Sequence, residues 1–390
     1  MRRTKILVCL TALSILSMFP MDVFVSSFSD LSDYFSIPYT DTISSVTLFT
    51  YGFGVGVLIV GVLAEKLGVT TVLLGSLVLL LLSNLLSLGH TSYELFLGAR
   101  FMQGLFSSSF VLSTFIVRNC FEEEEGVKVR ALIASISAIA ITLSPMLGAL
   151  LTTTFGWGSI IVVASLACIF AILCFLSILS DIRDANNNSS VGQNNFLKST
   201  AFWTLNIVST LNFSIHFVFV MLSVKIFTQD FNGSLQDYGL MMIIYGTALF
   251  VTNVIITKFS PKLAFTGANY WYLLSIAALA GIIINMSIHG DFGFYSYFPF
   301  IILATFFSVY LSNVTLNKAI FAVNGTPTVS SVVGSIRFIT AGTIGWLGFS
   351  NGSGIISIAL LYLVSSILSM ILLWLVRPKN TEVGANLRGQ

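Results

Sequence analysis

DIRDANNNSSVGQNNFLKS, residues 181–199, is the longest polar stretch in a 390-residue chain that is 56% hydrophobic and only 9% charged. It separates two long apolar blocks of nearly equal length. Asn, Ser and Gly dominate it, a composition that suits a flexible tether rather than a folded module. A water-soluble surface takes about 25% charged residues. With a mean hydropathy of +0.94, the composition excludes a soluble enzyme, a fibrous chain and a nucleic-acid module.

Moving outward from the tether, hydropathy gives six spans on each side: 6–28, 42–64, 69–88, 94–117, 129–152 and 158–180, then 200–224, 237–257, 270–288, 294–316, 328–349 and 354–376. Each is long enough to cross a hydrocarbon core of about 30 Å as a helix. Helices are expected because a lipid-exposed backbone must satisfy its own hydrogen bonds, and the alternating segments of about ten residues that a barrel needs are absent. The first span follows Arg2, Arg3 and Lys5 and so resembles a signal peptide, but its apolar run is too long for one and eleven spans follow, so it is expected to be retained.

Basic residues orient the chain. With both termini inside, fifteen of the 18 Lys and Arg fall on the inner face, only Lys225 on the outer face, and Arg100 and Arg337 within spans. Such a split follows the positive-inside rule, and an odd number of spans would scramble it. The expectation is an all-α polytopic membrane protein with twelve transmembrane helices in two six-helix bundles: residues 1–180, a cytoplasmic linker 181–199, and residues 200–390 with a short cytoplasmic tail. Two such halves around a central path are the architecture of a parallel-repeat transporter.

Ionisable groups inside spans cost several kcal/mol unless paired or hydrated, and therefore point to function. Asp22 lies about 9 Å from the outer end of span one, and Arg100 about 9 Å below the outer start of span four. At this shared depth they can interact directly or through water. Two readings stand: Asp22 exchanges protons as the surroundings change, or the two charges form a static tie between helices. Arg100, Gln103, Gly104 and Ser107 recur at helical spacing and share one face.

Gly61-Val-Leu-Ala-Glu65-Lys66-Leu-Gly68 sits at the inner end of span two, where glycines allow close helix approach and the charges can latch an inner gate. Span five carries Ser144-Pro145-Met-Leu-Gly148, in which proline removes a backbone donor and glycine admits a neighbouring helix, as a rocking helix needs. In the second half, Arg337 lies roughly 14 Å deep with no Asp or Glu at comparable depth in its half. It reads either as a substrate contact for an anion or as a contact to backbone carbonyls. His216 reads as a packing histidine or, with a pKa near working pH, a proton relay. Asn206, Asn212, Asn253, Asn285 and Asn313 bind ligand or join helices. Glu122 to Glu125 read as a solvated loop.

In these residues the chain resembles the major facilitator superfamily, and within it the bicyclomycin and chloramphenicol resistance branch of drug:proton antiporters. Pro20-Met-Asp22, GVLAEKLG at 61–68, RFMQG at 100–104, Ile116-Val-Arg118 followed by Phe121 and Arg130, and Ser144-Pro145 through Gly148 with Phe155-Gly156-Trp157 carry the resemblance, in the family's order over residues 1–160. It implies that Asp22 is the proton-coupled acid, Glu65 and Lys66 belong to the inner-gate motif, Arg100 is the buried arginine of span four, and Pro145 with Gly148 form the antiporter motif. Val69, Thr70 and Thr71 stand where basic residues usually continue the gate motif, Asn119 where an aspartate commonly follows Arg118, and Ala149 where a glycine is common.

The function expected is proton-coupled export of small amphipathic compounds such as drugs by alternating access. Arg337 and these departures favour an alternative, transport of an anionic metabolite or carboxylate siderophore. No GxxxxGK[ST] loop is present, so an ion gradient is the expected energy source. Histidines at 90, 216 and 289 and cysteines at 9, 120, 168 and 174 suggest neither a metal site nor redox work. A membrane enzyme or a non-transporting sensor is a distant alternative; the first would need clustered His, Asp or Glu, the second an added soluble domain. The partners expected are a small-molecule substrate, protons and the lipid bilayer, without nucleic acid or cofactor, and the chain is expected to act as a monomer in a bacterial inner membrane.

Overall fold

Apolar runs of this length can only bury their amide groups in lipid by bonding them internally, and every described element of the computed structural model is a helix or a helical turn. The structure describes residues 2–88, 92–121, 123–179, 198–259, 268–290, 292–321, 327–350 and 354–375. The expected tether, apart from Lys198 and Ser199, and the expected tail lie outside the described residues.

The helices are α1 (Arg2–Val25), α2 (Phe28–Phe35), α3 (Ser44–Leu67), α4 (Val69–Ser87), α5 (Tyr93–Ser107), α6 (Ser113–Cys120), α7 (Glu123–Phe155), α8 (Gly158–Ile178), α9 (Thr200–Lys225), α10 (Leu235–Phe259), α11 (Ala268–His289), α12 (Phe294–Phe321), α13 (Pro327–Ser350) and α14 (Ile355–Leu375). Among the described residues, 10 segments are long and apolar enough to cross a membrane. The other two expected spans, 129–152 and 237–257, are helical within α7 and α10, and α7 supplies a shorter apolar piece, Leu143–Phe155.

Two turns are set by glycine. Gly68, at φ 85°, is the sole residue between α3 and α4, and its N–H donates to the Ala64 carbonyl. Gly156, at φ 77°, ends α7 by donating to Thr152. A side chain in this left-handed region would clash with the backbone.

The expected span 94–117 is not one continuous α-helix. A 3-10 turn at Ser108–Leu112 separates α5 from α6. Ser107 and Ser108 donate their hydroxyls to the Gly104 and Leu105 carbonyls, at 3.0 and 2.6 Å. Serines that bond back onto the preceding turn compete with the helical ladder and tighten it locally.

Helix packing repeats along the chain. In the first part α1 packs on α7 and α8, α5 on α3 and α4, and α4 on α8; in the second, α9 packs on α13 and α14, α12 on α10 and α11, and α11 on α14. The same correspondence exchanges the α3–α13 and α7–α10 contacts that join the two parts. At the end of the molecule remote from Arg2, buried residues such as Phe28, Phe49, Phe219, Tyr238 and Phe349 form one cluster drawn from both parts. At the opposite end, the described core residues fall into separate clusters, one around Leu10, Leu73 and Val117, the other around Phe202, Ala319 and Val333.

Candidate functional site

Arg100 is the most enclosed cation among the described residues, with 0% exposure. Its Nε donates to the Ser45 carbonyl at 3.1 Å, Nη1 to Gln103 Oε1 at 2.7 Å and Nη2 to the Pro20 carbonyl at 3.0 Å. The rings of Phe24 and Phe49 lie 4.2 and 4.8 Å from its central carbon. Gln103 in turn donates to Ser87 Oγ at 2.7 Å and the Ser83 carbonyl at 3.3 Å. Through these two side chains α5 grips α1, α3 and α4, and each side-chain nitrogen finds an acceptor, as a polar group buried in apolar surroundings requires.

Of the two forms of Asp22–Arg100 interaction that their common depth allows, direct or through water, the direct one is not formed. Arg100 does reach α1 at that depth, but at the Pro20 carbonyl, two residues before Asp22. Asp22 itself is 4% exposed and makes no hydrogen bond or ion pair with a described residue. Its charge reaches Tyr238 at the start of α10, in the second part of the chain. Tyr238 is buried and shares a 3.1 Å hydrogen bond with Ser223 of α9.

Pro145 and Gly148 meet α1 beside this acid. Ser26 donates its hydroxyl to the Pro145 carbonyl at 2.8 Å, and a Cβ on Gly148 would lie 2.3 Å from the Val23 carbonyl oxygen. The α3–α5 contact is equally tight. A Cβ on Gly104 would come 1.9 Å from the Phe49 carbonyl, with Gly52 and Gly56 opposing it from α3. Small residues that bring backbones together are the usual means of packing helices in lipid. Gly52 and Gly56 were not singled out from the sequence, although their spacing in Gly52-Phe-Gly54-Val-Gly56 is a small-residue signal.

The Gly61–Gly68 motif lies at the end that holds Arg2. Gly61 faces Ser331 of α13, 3.8 Å from a Cβ position, Lys66 is exposed, and the Glu65 side chain lies outside the described residues. In α13, Arg337 donates through Nη2 to Ser312 of α12 and covers the Phe213 ring of α9 at 4.5 Å. Its Nε is buried without a partner. His216 is half-buried, and its Nδ1 lies 3.0 Å from the Tyr245 hydroxyl, which donates to Thr305 at 3.4 Å. The structure therefore gathers Asp22, Pro145 and Gly148 in one region, Arg100 and Gln103 in an adjoining one, and Arg337 with the α9 face in the other part of the chain.

At the end remote from Arg2 the two parts close on each other through aromatic rings. Phe349 of α13 packs edge-on against Phe28 at 5.5 Å and stacks on Tyr39 at 5.7 Å. Nearer the middle, Tyr51 bonds Thr343 at 2.8 Å and Phe53 meets Phe338 at 4.7 Å. The Lys225 ammonium lies 5.1 Å over Phe349. None of these contacts has a sequence signature beyond an abundance of phenylalanine. Trp157, just after Gly156, packs on Phe35 and Phe96.

Comparison with known proteins places this arrangement. The chain is 24% identical over 357 residues to the bicyclomycin resistance protein homolog of Haemophilus influenzae, covering 86% of this chain and 87% of that one. It is 24% identical over 286 residues to multidrug resistance protein MdtL of Escherichia coli, covering 71% and 73%, and 23% identical over 292 residues to MdtL of Citrobacter koseri, covering 73% and 74%. The family model described as Major Facilitator Superfamily matches residues 10–347. With many apolar helices and this match along most of its length, the chain is a multi-pass membrane transporter that belongs to the Major Facilitator Superfamily.

Proposed function

We propose that this transporter exports small amphipathic compounds, drugs among them, in exchange for protons, and that Asp22 carries the proton. The observation that carries this reading is the state of Asp22: a buried acid in a spanning helix, within electrostatic range of Tyr238 in the second part of the chain, with no ion-pair or hydrogen-bond partner among the described residues. An unpartnered charge there costs several kcal/mol. Its occupancy by a proton is therefore tied to whether water or substrate reaches it, and that tie is the basis of coupling.

Alternating access follows from two six-helix halves, residues 1–180 and 200–390, rocking about the α3–α13 and α7–α10 seams. The repeated packing supports this division. With both termini in the cytoplasm of a bacterium, the shared aromatic cluster closes the outer end while the core divides toward the inner end, a state open inward. Pro145 and Gly148 couple the movement of α7 to the segment of α1 that holds Asp22. The names of the two relatives, a bicyclomycin resistance protein homolog and a multidrug resistance protein, support export of drug-like cargo.

The test is accumulation in a bacterial host stripped of its own efflux pumps, with a panel of amphipathic dyes and antibiotics of both charges. Expression of the wild-type chain lowers accumulation of at least one compound, a protonophore restores it, and Asp22→Asn behaves like the empty host. Equal exclusion by wild type and Asp22→Asn would contradict the reading.

A further inference from the structure

Arg337 lies in a spanning helix with an incomplete set of partners. From Tyr238 to the end of the chain only Asp291 and Glu382 are acidic, and neither belongs to a described helix. Its described partners are the Ser312 hydroxyl and the face of Phe213, while Nε is buried with its proton unsatisfied. A guanidinium retained in such a place usually faces an anion or a cavity.

The surroundings have the same incompleteness. Ser209 and Ser312 bond each other's carbonyls at 2.8 and 3.0 Å, pinning α9 to α12 beside the cation. On the same face of α9, one turn away, Asn206 is buried with both Nδ2 and Oδ1 lacking partners. Apolar walls complete the setting: Phe338, next to Arg337 in sequence, packs on Phe213 at 5.4 Å and on Phe53 of α3 at 4.7 Å. The two halves of the chain thus meet across an aromatic layer immediately beside an unsaturated cation.

We infer that Arg337, with Asn206 as a second polar contact, forms the head-group site for an amphipathic carboxylate whose apolar body lies against Phe53, Phe213 and Phe338. The guanidinium supplies charge-assisted donors that match a carboxylate, and Phe213 holds its plane from the other side. This rests on the transport reading above and narrows its cargo to anions. A purely structural role, with Arg337 only bracing α13 against α12 and α9, predicts no ligand selectivity.

The two are separated by calorimetric titration of the purified full-length protein in detergent with 2-naphthoate and with 2-naphthylmethylammonium, at one pH and without any gradient. The expected result is that wild type binds the carboxylate at least tenfold more tightly than the amine and that Arg337→Gln loses about tenfold or more in carboxylate affinity, the range for a hydrogen bond to a charged group. If Arg337→Gln does not stay folded by size exclusion, Arg337→Lys is read instead; it keeps the preference for the anion at reduced affinity. Equal carboxylate affinity in wild type and variant, no preference for the anion in wild type, or no binding of 2-naphthoate overturns the inference. The titration uses wild type and Arg337 variants without a gradient, so a failure of proton coupling in the flux assay and a failure of this site give different results.

Discussion

Gly148 of α7 lies against Val23 of α1 so closely that a Cβ would stand 2.3 Å from the Val23 carbonyl oxygen, one residue beyond Asp22. Backbone meets backbone there, and the Ser26 to Pro145 hydrogen bond locks the same contact nearly one turn further on. Gly148→Ala must push α7 away from α1. Overpacking of this kind costs about 1–3 kcal/mol, so the variant should unfold at a lower temperature in a fluorescence-detected thermal scan. Its transport should fall more than its stability does, because the displaced segment carries Asp22.

Arg100 makes a different kind of prediction. Its three nitrogens answer the Pro20 and Ser45 carbonyls and Gln103 Oε1. Arg100→Met would leave buried Gln103 Oε1 without its donor, at about 1–3 kcal/mol for a group left unsatisfied, and remove the added bonds to the Pro20 and Ser45 carbonyls. A marked drop in thermal stability is expected, with loss of properly inserted protein on expression. Arg100→Lys retains the charge but cannot reach three acceptors from one plane, and should fall between wild type and Arg100→Met.

Outside the spans, Asp30 of α2 gives a pH dependence whose sign is fixed. Burial, and after it the neighbouring Asp33, raise its pKa above the usual carboxylate range, opposed in part by the nearby Trp157 backbone. An acid held above its unfolded value favours the folded chain while protonated. That contribution is fully present below the ordinary aspartate value of about 4 and fades as pH rises through the raised value. Asp30→Asn, which cannot titrate, should therefore show a smaller decline of melting temperature than wild type over that window. A steeper decline in the variant would show the sign to be wrong.

Much of the architecture was legible because the spans announce themselves by length and apolarity, and Gly68 and Gly156 sit where the chain must turn. The break between α5 and α6 was hidden, since Ser107 and Ser108 act on the backbone of their own helix and leave hydropathy unchanged. Asp22 and Arg100 show the limit most clearly. Depth along each helix follows from residue count and proved informative, as Arg100 does reach α1 beside Asp22. Its partner was missed because it is the Pro20 carbonyl, and a backbone acceptor carries no residue-type signal. The closing contacts of Phe28 and Tyr39 with Phe349 depend on how distant helices dock, which no local pattern records.

The most direct test of the account is flux in proteoliposomes under an imposed pH step, using a compound that the cellular assay identifies as cargo, for wild type and Asp22→Asn side by side. The account predicts that wild type moves cargo uphill against the direction of proton flow, while Asp22→Asn still binds cargo but gives no uphill movement. Uphill transport of the same size by Asp22→Asn would contradict it.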